Sequence, residues 1–304
     1  MTDWLLRAAL AAAAAWVGAG ALVAWRLNRF PARHRIPPPV TPESLGVPAT
    51  TVRFAARDGH PLEAWFVPAR SPRGAIVVAL HGYRGSRADV LEIGAALWRA
   101  GFGVLAPDFR GRGGSGRTAV TLGAHEVHDL AGTLAWLREN APGSPVGLLG
   151  YSMGAAVALM EGGRHPEVRA IASDCGYVSQ AALLEHRLRG RFGPAGTLAL
   201  PAAAVVHRLL WRRPAFDRVE PIRHAAEWRG RGLLFIGAGC DVTVDPEDAL
   251  RLFDAAPRPK MLWLERGAEH CSVRHGDPDR YERIAVQFFR RYLEVEPAGE
   301  PEAA

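Results

Sequence analysis

The sequence predicts an α/β fold built on a mostly parallel β-sheet that is covered by helices on both faces. Two observations predict it: short apolar runs recur along the chain, and amphipathic stretches of helical length separate most of them. Continuous apolar runs are typical of strands that are buried on both faces, as the strands of parallel sheets are. With 304 residues, of which 48% are apolar, the chain is long enough to bury a large core.

The first element is an apolar helix within residues 1–29. Residues 8–25 carry no charge over a length that spans a bilayer as helix, and Trp4 and Trp25 lie where interfacial aromatic residues are expected. Four arginines follow this run between residues 26 and 35, whereas one precedes it. This charge bias predicts an uncleaved membrane anchor with the rest of the chain in the cytoplasm.

Two alternatives to the anchor stay open at this point. Ala19-Gly20-Ala21 supplies a small-residue cleavage site, so a signal peptide and export is one of them. A buried helix of a soluble protein is the other.

A proline-rich, extended linker is predicted for residues 30–48, a globular domain for residues 49–295 and a disordered tail for residues 296–304. The domain opens with two stretches that alternate apolar and polar residues, 50–57 and 62–67. The turn sequence "RDGHP" between them predicts an antiparallel hairpin.

The rest of the domain alternates predicted strands and helices. Apolar strands are predicted at 75–80, 103–106, 145–149, 168–172, 232–236 and 261–264. Helices are predicted at 88–100, 124–140, 153–163, 245–255 and 279–293. About sixty residues separate the strands at 168–172 and 232–236, too many for one crossover helix, and they include an apolar stretch at 195–211. We therefore predict an inserted helical cap over about 176–228.

A serine between two glycines follows the predicted strand at 145–149, in "LLGYSMGAA". A Gly-x-Ser-x-Gly string alone is weak evidence in a chain with 33 glycines, but its place between a strand and a helix fits a nucleophile on a sharp turn. Gly150 and Gly154 would let the backbone and the helix pass closely. Ser152 is therefore the predicted nucleophile, and the helix that starts at Met153 would favour negative charge beside it.

The string "LHGYRGSR" at residues 80–87 follows the first predicted parallel strand. A backbone N–H from that loop and the N–H after the nucleophile form the usual pair of oxyanion donors. We predict Tyr83 and Met153 as these donors. A simple turn at the end of the strand is the alternative interpretation of His81-Gly82.

These strings resemble the α/β-hydrolases, in particular the branch of serine aminopeptidases and monoacylglycerol lipases, which includes bacterial hydrolases with an N-terminal membrane segment. The resemblance continues in "GFGVLAPDFRGRGGSG", "LGAHEVHDLAGTLAWL", "LLFIGAGCDVTV" and "GAEHCSVRHGDPDRYERIAVQFFRRYL", and covers most of residues 49–295. It implies an α/β-hydrolase fold and a serine hydrolase with an acyl-enzyme intermediate.

The resemblance also implies the remaining catalytic residues, because the order along such chains is serine, acid, histidine. It places the acid at Asp241 and the base at His270, each in a loop after a predicted strand. Asp174 is the rival acid, Asp245 a candidate helix cap, and His275 the rival base. The loop with Asp108 and Arg110 is interpreted as structural.

The three cysteines, Cys175, Cys240 and Cys271, all fall at strand ends near these positions. Small residues that fill space beside the site are the main interpretation, with a redox link between Cys240 and Cys271 as the alternative. Neither His-Glu-x-x-His nor Cys-x-x-Cys spacing occurs, so no metal and no cofactor is expected.

The net charge is +6, but the arginines are scattered and no nucleic-acid-binding motif accompanies them. We expect no nucleic-acid partner, a membrane contact through the N-terminal helix, and a small or lipid-like ester as substrate. Ester cleavage is the leading prediction. Amide or peptide hydrolysis, or a catalytically silent binding protein with this fold, are the alternatives.

Overall fold

The central element is one twisted sheet in which the strands after the first two run parallel. The computed structural model describes residues 2–28, 40–71, 73–211 and 218–293. Within them the strands are β1 (Thr50–Ala55), β2 (Pro61–Val67), β3 (Ile76–Leu80), β4 (Gly103–Pro107), β5 (Val146–Tyr151), β6 (Val168–Asp174), β7 (Gly232–Ala238) and β8 (Lys260–Glu265). The predicted tail at 296–304 and most of the predicted linker, residues 30–39, lie outside this part of the chain.

The strand order across the sheet is β1-β2-β4-β3-β5-β6-β7-β8. β2 pairs antiparallel with both β1 and β4, and each later pairing is parallel. The predicted fold class, a mostly parallel sheet with an N-terminal antiparallel hairpin, is therefore confirmed. β4 lies on one side of β3 and β5 on the other, so the chain connections that follow β3 and β4 run to opposite sides of β3. Such a switch point opens a crevice at the carboxyl edge of the sheet.

Helices cover both faces of this sheet, as continuous apolar strands require. In the described residues they are α1 (Thr2–Asn28), α2 (Leu91–Arg99), α3 (Glu126–Asn140), α4 (Met153–Gly162), α5 (Gln180–Phe192), α6 (Leu200–Trp211), α7 (Pro221–Glu227), α8 (Asp248–Ala255), α9 (Val273–Gly276) and α10 (Pro278–Leu293). One apolar cluster joins α3, α4 and α8 to the sheet through Leu130, Val157 and Leu252. A second cluster joins α2 and α10 to the other face through Leu97 and Phe289.

The segment between β6 and β7 contains α5, a 3-10 turn at Pro194–Ala199, α6 and α7. We call residues 176–211 and 218–228 the cap segment, after the predicted inserted cap. Its helices do not extend the sheet, and α5 and α6 are poorly buried compared with the core helices. Residues 212–217 of the predicted cap lie outside the description.

The N-terminal helix α1 is the longest helix of the described chain, and nearly all of its described surface is exposed. Its stretch Asp3–Val23 is long and apolar enough to cross a membrane, by length and composition. A signal sequence passes the same test.

The arginine-rich loop after β4, which the sequence analysis interpreted as structural, is held by ion pairs and hydrogen bonds. Arg110 donates to both Asp58 and Asp129, at 2.6–2.9 Å. Asp108 accepts from the backbone N–H groups of Arg87 and Gly114. These bonds tie the loop to the β1–β2 hairpin and to α3, away from the reacting groups proposed below.

Candidate active site

The nucleophile candidate occupies a strained turn between β5 and α4. Ser152 has φ +53° and ψ −111°, a conformation that few residues other than glycine adopt. The turn is held because the Ser152 N–H donates to the Asp174 carbonyl at 2.8 Å, and the Ser152 carbonyl accepts from Ala156 at 3.1 Å. The side chain is 8% exposed. A strained, tightly bonded turn of this kind lifts the hydroxyl out of the sheet edge.

The two flanking glycines are required by packing. A Cβ on Gly154 would clash with the carbonyl oxygen of Leu80 and lie 2.8 Å from that of His81. A Cβ on Gly150 would lie 2.5 Å from the Ala155 nitrogen. Because these contacts are with backbone, no side-chain rotation relieves them. The sequence pattern therefore reflects the close passage of α4 over β3 and β5.

This packing predicts that Gly154→Ala destabilises the fold. The methyl group would push α4 away from β3, and we expect the free energy of unfolding to fall by about 2 kcal/mol or more in urea titration. Gly163→Ala is the matched control: its Cβ would lie 3.5 Å from the Trp228 ring, an ordinary contact, at negative φ. A Gly154→Ala protein as stable as the wild type would contradict this explanation of the motif.

One hydrogen-bonded chain joins three side chains at the carboxyl edge of the sheet. The Ser152 Oγ lies 3.0 Å from the His270 Nε2, and the His270 Nδ1 lies 2.6 Å from the Asp241 Oδ2. Asp241 comes from the loop after β7, and His270 from the loop after β8. Parallel strands end at the same edge, so residues far apart in sequence meet there.

Asp241 is 5% exposed, and its carboxylate accepts three hydrogen bonds. Its Oδ1 accepts the backbone N–H groups of Thr243 at 2.7 Å and Val244 at 2.9 Å, and Oδ2 faces the imidazole. These backbone donors fix the plane of the carboxylate. The ring orientation of His270 therefore depends on a short rigid turn, residues 241–244.

The electrostatics of His270 reflect two opposed effects. Burial lowers the pKa of this imidazole, but its hydrogen bonds with Asp241 and Cys175 and the negative charge of Asp241 outweigh burial. The result raises its pKa to about 9, from an ordinary value of 6.5.

The loop after β3 approaches the serine from the strand next to β5. A Cβ on Gly82 would lie 3.6 Å from the Ser152 Cβ, so the backbone of this loop contacts the turn. His81 is fully buried, accepts from the Phe109 N–H through Nε2 at 3.0 Å and donates from Nδ1 to the Gly82 carbonyl at 2.7 Å. Burial lowers the pKa of His81, which agrees with this neutral tautomer.

His81 therefore does more than end a strand. Because a trans peptide points its C=O and N–H in opposite directions, the bond from His81 to the Gly82 carbonyl directs the Tyr83 N–H away from His81. The sequence identified the string at 80–87 but not this orienting bond. The sequence signal that could have indicated this bond is the histidine directly before the predicted donor loop, at the end of an apolar strand.

The rival residues lie in other surroundings. Asp174 is fully buried and accepts from the Tyr281 hydroxyl at 2.8 Å; burial raises its pKa. Asp245 pairs with Arg251 at 3.1 Å, and His275 is exposed. Of the three acids, Asp241 is the one that accepts a hydrogen bond from the His270 Nδ1 in the described part of the chain.

The cysteines are arranged differently from the hypothesised Cys240–Cys271 link. Cys240 is exposed, and its thiol donates to the Arg266 carbonyl at 3.4 Å. The buried neighbour of Cys271 is Cys175, whose Sγ accepts from the Cys271 N–H at 3.3 Å. All three cysteines are free thiols. The structure thus packs Cys175 and Cys271, rather than Cys240, against the imidazole.

Two groups of side chains have ligand atoms close enough to share a metal ion. The ligand atoms of Cys175, His270 and Cys271 lie within 4.8 Å of one another, as do those of Asp58, His125 and His128. In the first group His270 already bonds Asp241 and Ser152. In the second, Asp58 pairs with Arg110, and the His128 Nδ1 accepts from Arg57 at 3.0 Å.

A cavity of about 400 Å³ opens beside the serine and the imidazole. Leu122, Tyr177 and Leu183 give it an apolar wall, and Leu183 belongs to the cap segment. The sequence predicted an apolar cover but not the cations that also line the cavity, which are Arg84, Arg187 and Arg274. Arg274 packs over the Tyr151 ring at 4.4 Å.

Comparison with known proteins agrees with this geometry. A family model described as serine aminopeptidase, S33, matches residues 71–218, which contain the serine turn and the loop after β3. The Pyrococcus furiosus esterase Pf2001 superposes with a TM-score of 0.69 at 22% identity, over 86% of this chain and 97% of its own. This chain therefore has the α/β-hydrolase fold.

Relatives of this chain occur in several bacteria. The Mycobacterium tuberculosis protein Rv2307c, described as uncharacterized, is 28% identical over 273 residues, which cover 88% of this chain and 86% of the relative. YfhR of Escherichia coli K12, also described as uncharacterized, is 26% identical over 78% of this chain and 79% of its own. The matching family model supports hydrolase activity for this chain.

Proposed function

We propose that the protein is a serine hydrolase that cleaves carboxylic esters through an acyl-enzyme intermediate. The observation that carries the proposal is the hydrogen-bonded chain from Ser152 through His270 to Asp241 beside a cavity of about 400 Å³. A serine hydroxyl is a weak nucleophile, and an imidazole within hydrogen-bonding distance is what activates it. The strained turn presents that hydroxyl to the cavity.

The proposed reaction uses each of these groups at a stated atom. The Ser152 Oγ attacks the ester carbonyl carbon while its proton passes to the His270 Nε2. Asp241 holds the imidazole and stabilises its cationic form. The imidazolium then protonates the departing alcohol, which leaves the acyl group on Ser152. Water attacks this acyl group with His270 again as base, and the carboxylic acid is released.

The N–H groups of Met153 and Tyr83 are the proposed oxyanion donors. Met153 is the first residue of α4, where an N–H has no carbonyl of its own helix to bind, and the helix N-terminus favours negative charge. Tyr83 belongs to the loop that contacts Ser152, and the bond from His81 to Gly82 orients its peptide. Donors held before the reaction begins stabilise the tetrahedral intermediate without reorganisation.

We further propose that α1 anchors the protein in a membrane, with the catalytic domain in the cytoplasm. The length and composition of Asp3–Val23 and the arginines that follow it support the anchor and its direction. A lipid-like ester would then be available beside the site. No cofactor or nucleic-acid partner is part of this proposal.

A fluorophosphonate probe tests the serine hydrolase. The probe should label the wild type at Ser152, as mapped by peptide mass spectrometry, and a folded protein that resists it would support a silent binding protein instead. Amide hydrolysis is the second candidate, because the matching family model is described as a serine aminopeptidase. Comparing p-nitrophenyl esters of graded chain length with the matching aminoacyl p-nitroanilides separates the two: faster ester cleavage is expected.

The raised pKa of His270 predicts an alkaline activity profile. The base must be neutral to accept the serine proton, so kcat/KM should rise with pH and level off above about pH 9. Because the folded-state pKa is raised, the stability that this group contributes is complete below its unfolded value near 6.5. It is lost as the pH rises through about 9.

A pH–rate profile from 6 to 10.5 with a soluble ester, and urea titrations over the same range, measure both effects. A kcat/KM that stays constant or falls between pH 7 and 9 would contradict the assignment of His270 as base.

A further inference from the structure

The N-terminal helix packs against the cap segment. At the middle of α1, the Trp16 Nε1 donates to the Leu198 carbonyl at 2.7 Å. One turn on, Gly20 lies so close to α6 that an added Cβ would be 2.7 Å from the Ala203 nitrogen. Val23 packs against Ala203 and Leu184. Trp16, Gly20 and Val23 follow helical spacing, so one face of α1 contacts the cap segment along about two turns.

A small residue at the crossing is what permits this approach. Gly20 opposite Ala202 and Ala203 is the kind of small-residue contact through which helices pack within membranes. In water such a contact would bury little apolar surface. Its position on a helix long enough to span a bilayer places the cap segment against the anchor itself.

The outer face of α6 and of the 3-10 turn before it is apolar, whereas the outer face of a helix in a soluble domain is usually polar. Leu198, Pro201, Val205 and Leu209, which we call the apolar stripe, recur at three to four residues and are exposed. Leu198, Val205 and Leu209 have exposed fractions of 65%, 56% and 72%. An exposed stripe of this length is unusual on the surface of a soluble protein and marks an interaction site.

The positions along α1 that contact the cap segment fit an interfacial location for the apolar stripe. The span Asp3–Val23 ends at the residue that contacts α6, and Trp16 lies seven residues earlier. At 1.5 Å per residue that interval is about 10 Å, the depth to which apolar faces of interfacial helices are buried. With α1 in the proposed anchor position, these contacts place α6 at the boundary between headgroups and acyl chains.

Charge around the stripe fits an anionic lipid surface. Helices α5 and α6 contain four arginines, Arg187, Arg189, Arg191 and Arg208, and one acidic residue, Glu185. Arg189 pairs with Glu185 at 2.7 Å, and arginines that lie near an anionic lipid surface are attracted to it. Basic residues beside an apolar face are typical of helices that lie in a membrane interface.

We propose that the cap segment is embedded in the membrane interface through the apolar stripe, so that the cavity opens at the lipid boundary and receives its ester from the bilayer. The link to the site is α5, whose Leu183 and Arg187 line the cavity. The substrate class in this proposal, a membrane-resident acyl ester, rests on the proposed function. The location of the cap segment rests on the proposed anchor.

A depth measurement on the full-length protein in vesicles tests the location without using activity. A fluorescent amino acid, introduced by stop-codon suppression at Val205, leaves the native thiols untouched. Lipids with a nitroxide on the acyl chain should quench it at least twofold more than the same fluorophore at Leu264. Leu264 is the matched control, because it is an apolar residue of similar exposure on β8.

A third label, at Leu10 of α1, reports the anchor. If Leu10 is quenched and Val205 is no more quenched than Leu264, the cap segment is not embedded and the inference is wrong. If neither Leu10 nor Val205 is quenched, the anchor and the inference are both wrong. Vesicles with 30% anionic lipid should quench Val205 more strongly than neutral vesicles.

Activity then tests substrate delivery. The double substitution Val205→Asp with Leu209→Asp should lower kcat/KM for a long-chain ester dispersed in vesicles at least tenfold, and change kcat/KM for soluble p-nitrophenyl acetate less than twofold. Leu264→Asp should change neither. An equal loss on both esters, or none on the vesicle ester, would overturn delivery from the bilayer. Absence of wild-type hydrolysis of either ester would overturn the proposed function, while the depth result would still decide the location.

Discussion

Ser152→Ala should lower kcat/KM for a p-nitrophenyl ester by about 10⁴-fold or more and abolish labelling by a fluorophosphonate. Removal of the nucleophile leaves the oxyanion donors and substrate binding, which supply only a residual rate. The fold should tolerate the change, because the turn is held by backbone bonds of Ser152 and not by its hydroxyl. We expect the free energy of unfolding to change by less than about 1 kcal/mol.

Ser115→Ala is the matched control for loss of a buried serine hydroxyl. The Ser115 Oγ donates to the Asp108 carbonyl and accepts from the Glu63 N–H, so its removal should destabilise the protein by about 1–2 kcal/mol. The Ser115→Ala protein should still be labelled by the fluorophosphonate at the wild-type level. Retained hydrolysis by folded Ser152→Ala protein would refute a serine mechanism at this site.

The second large effect is expected from Asp241→Asn, with kcat about 10⁴-fold lower. Two backbone N–H groups, from Thr243 and Val244, point at Oδ1, so the asparagine oxygen would take that position. The amide nitrogen would then face the His270 Nδ1 as a donor. This arrangement favours the tautomer with its proton on Nε2, which cannot accept the proton of Ser152.

Kinetics with a soluble ester, alongside urea unfolding, measure this effect. Asp245→Asn, four residues further on and bonded to Arg251, should leave kcat within twofold. The apparent pKa of the rate profile should also fall in Asp241→Asn, because the largest group that raises the pKa of His270 is lost. A folded Asp241→Asn protein with more than a tenth of wild-type activity would show that Asp241 does not orient the base.

Local sequence was enough to predict the strands, because burial on both faces leaves continuous apolar runs such as Ile76–Leu80 and Val146–Tyr151. It was also enough to find the turn at Ser152, since Gly150 and Gly154 are demanded by backbone contacts within and beside that turn. The assignment of Asp241 and His270 as acid and base came from the order of these residues in the family that the chain resembles. No spacing rule in the sequence distinguishes them from Asp174 and His275.

What only the tertiary structure decided are relations between segments that lie far apart along the chain. The 2.6 Å contact of His270 with Asp241, the orienting bond of His81, and the pairing of Cys271 with Cys175 rather than Cys240 depend on where strand ends meet. The crossing of α1 with α6 joins residues about 180 positions apart. Apolar periodicity reports whether a face is covered, but not what covers it, because many partners satisfy the same hydrophobic pattern. The amino-acid sequence therefore determined the elements and the serine turn, and three-dimensional packing determined the partners of each candidate site residue and of each apolar surface.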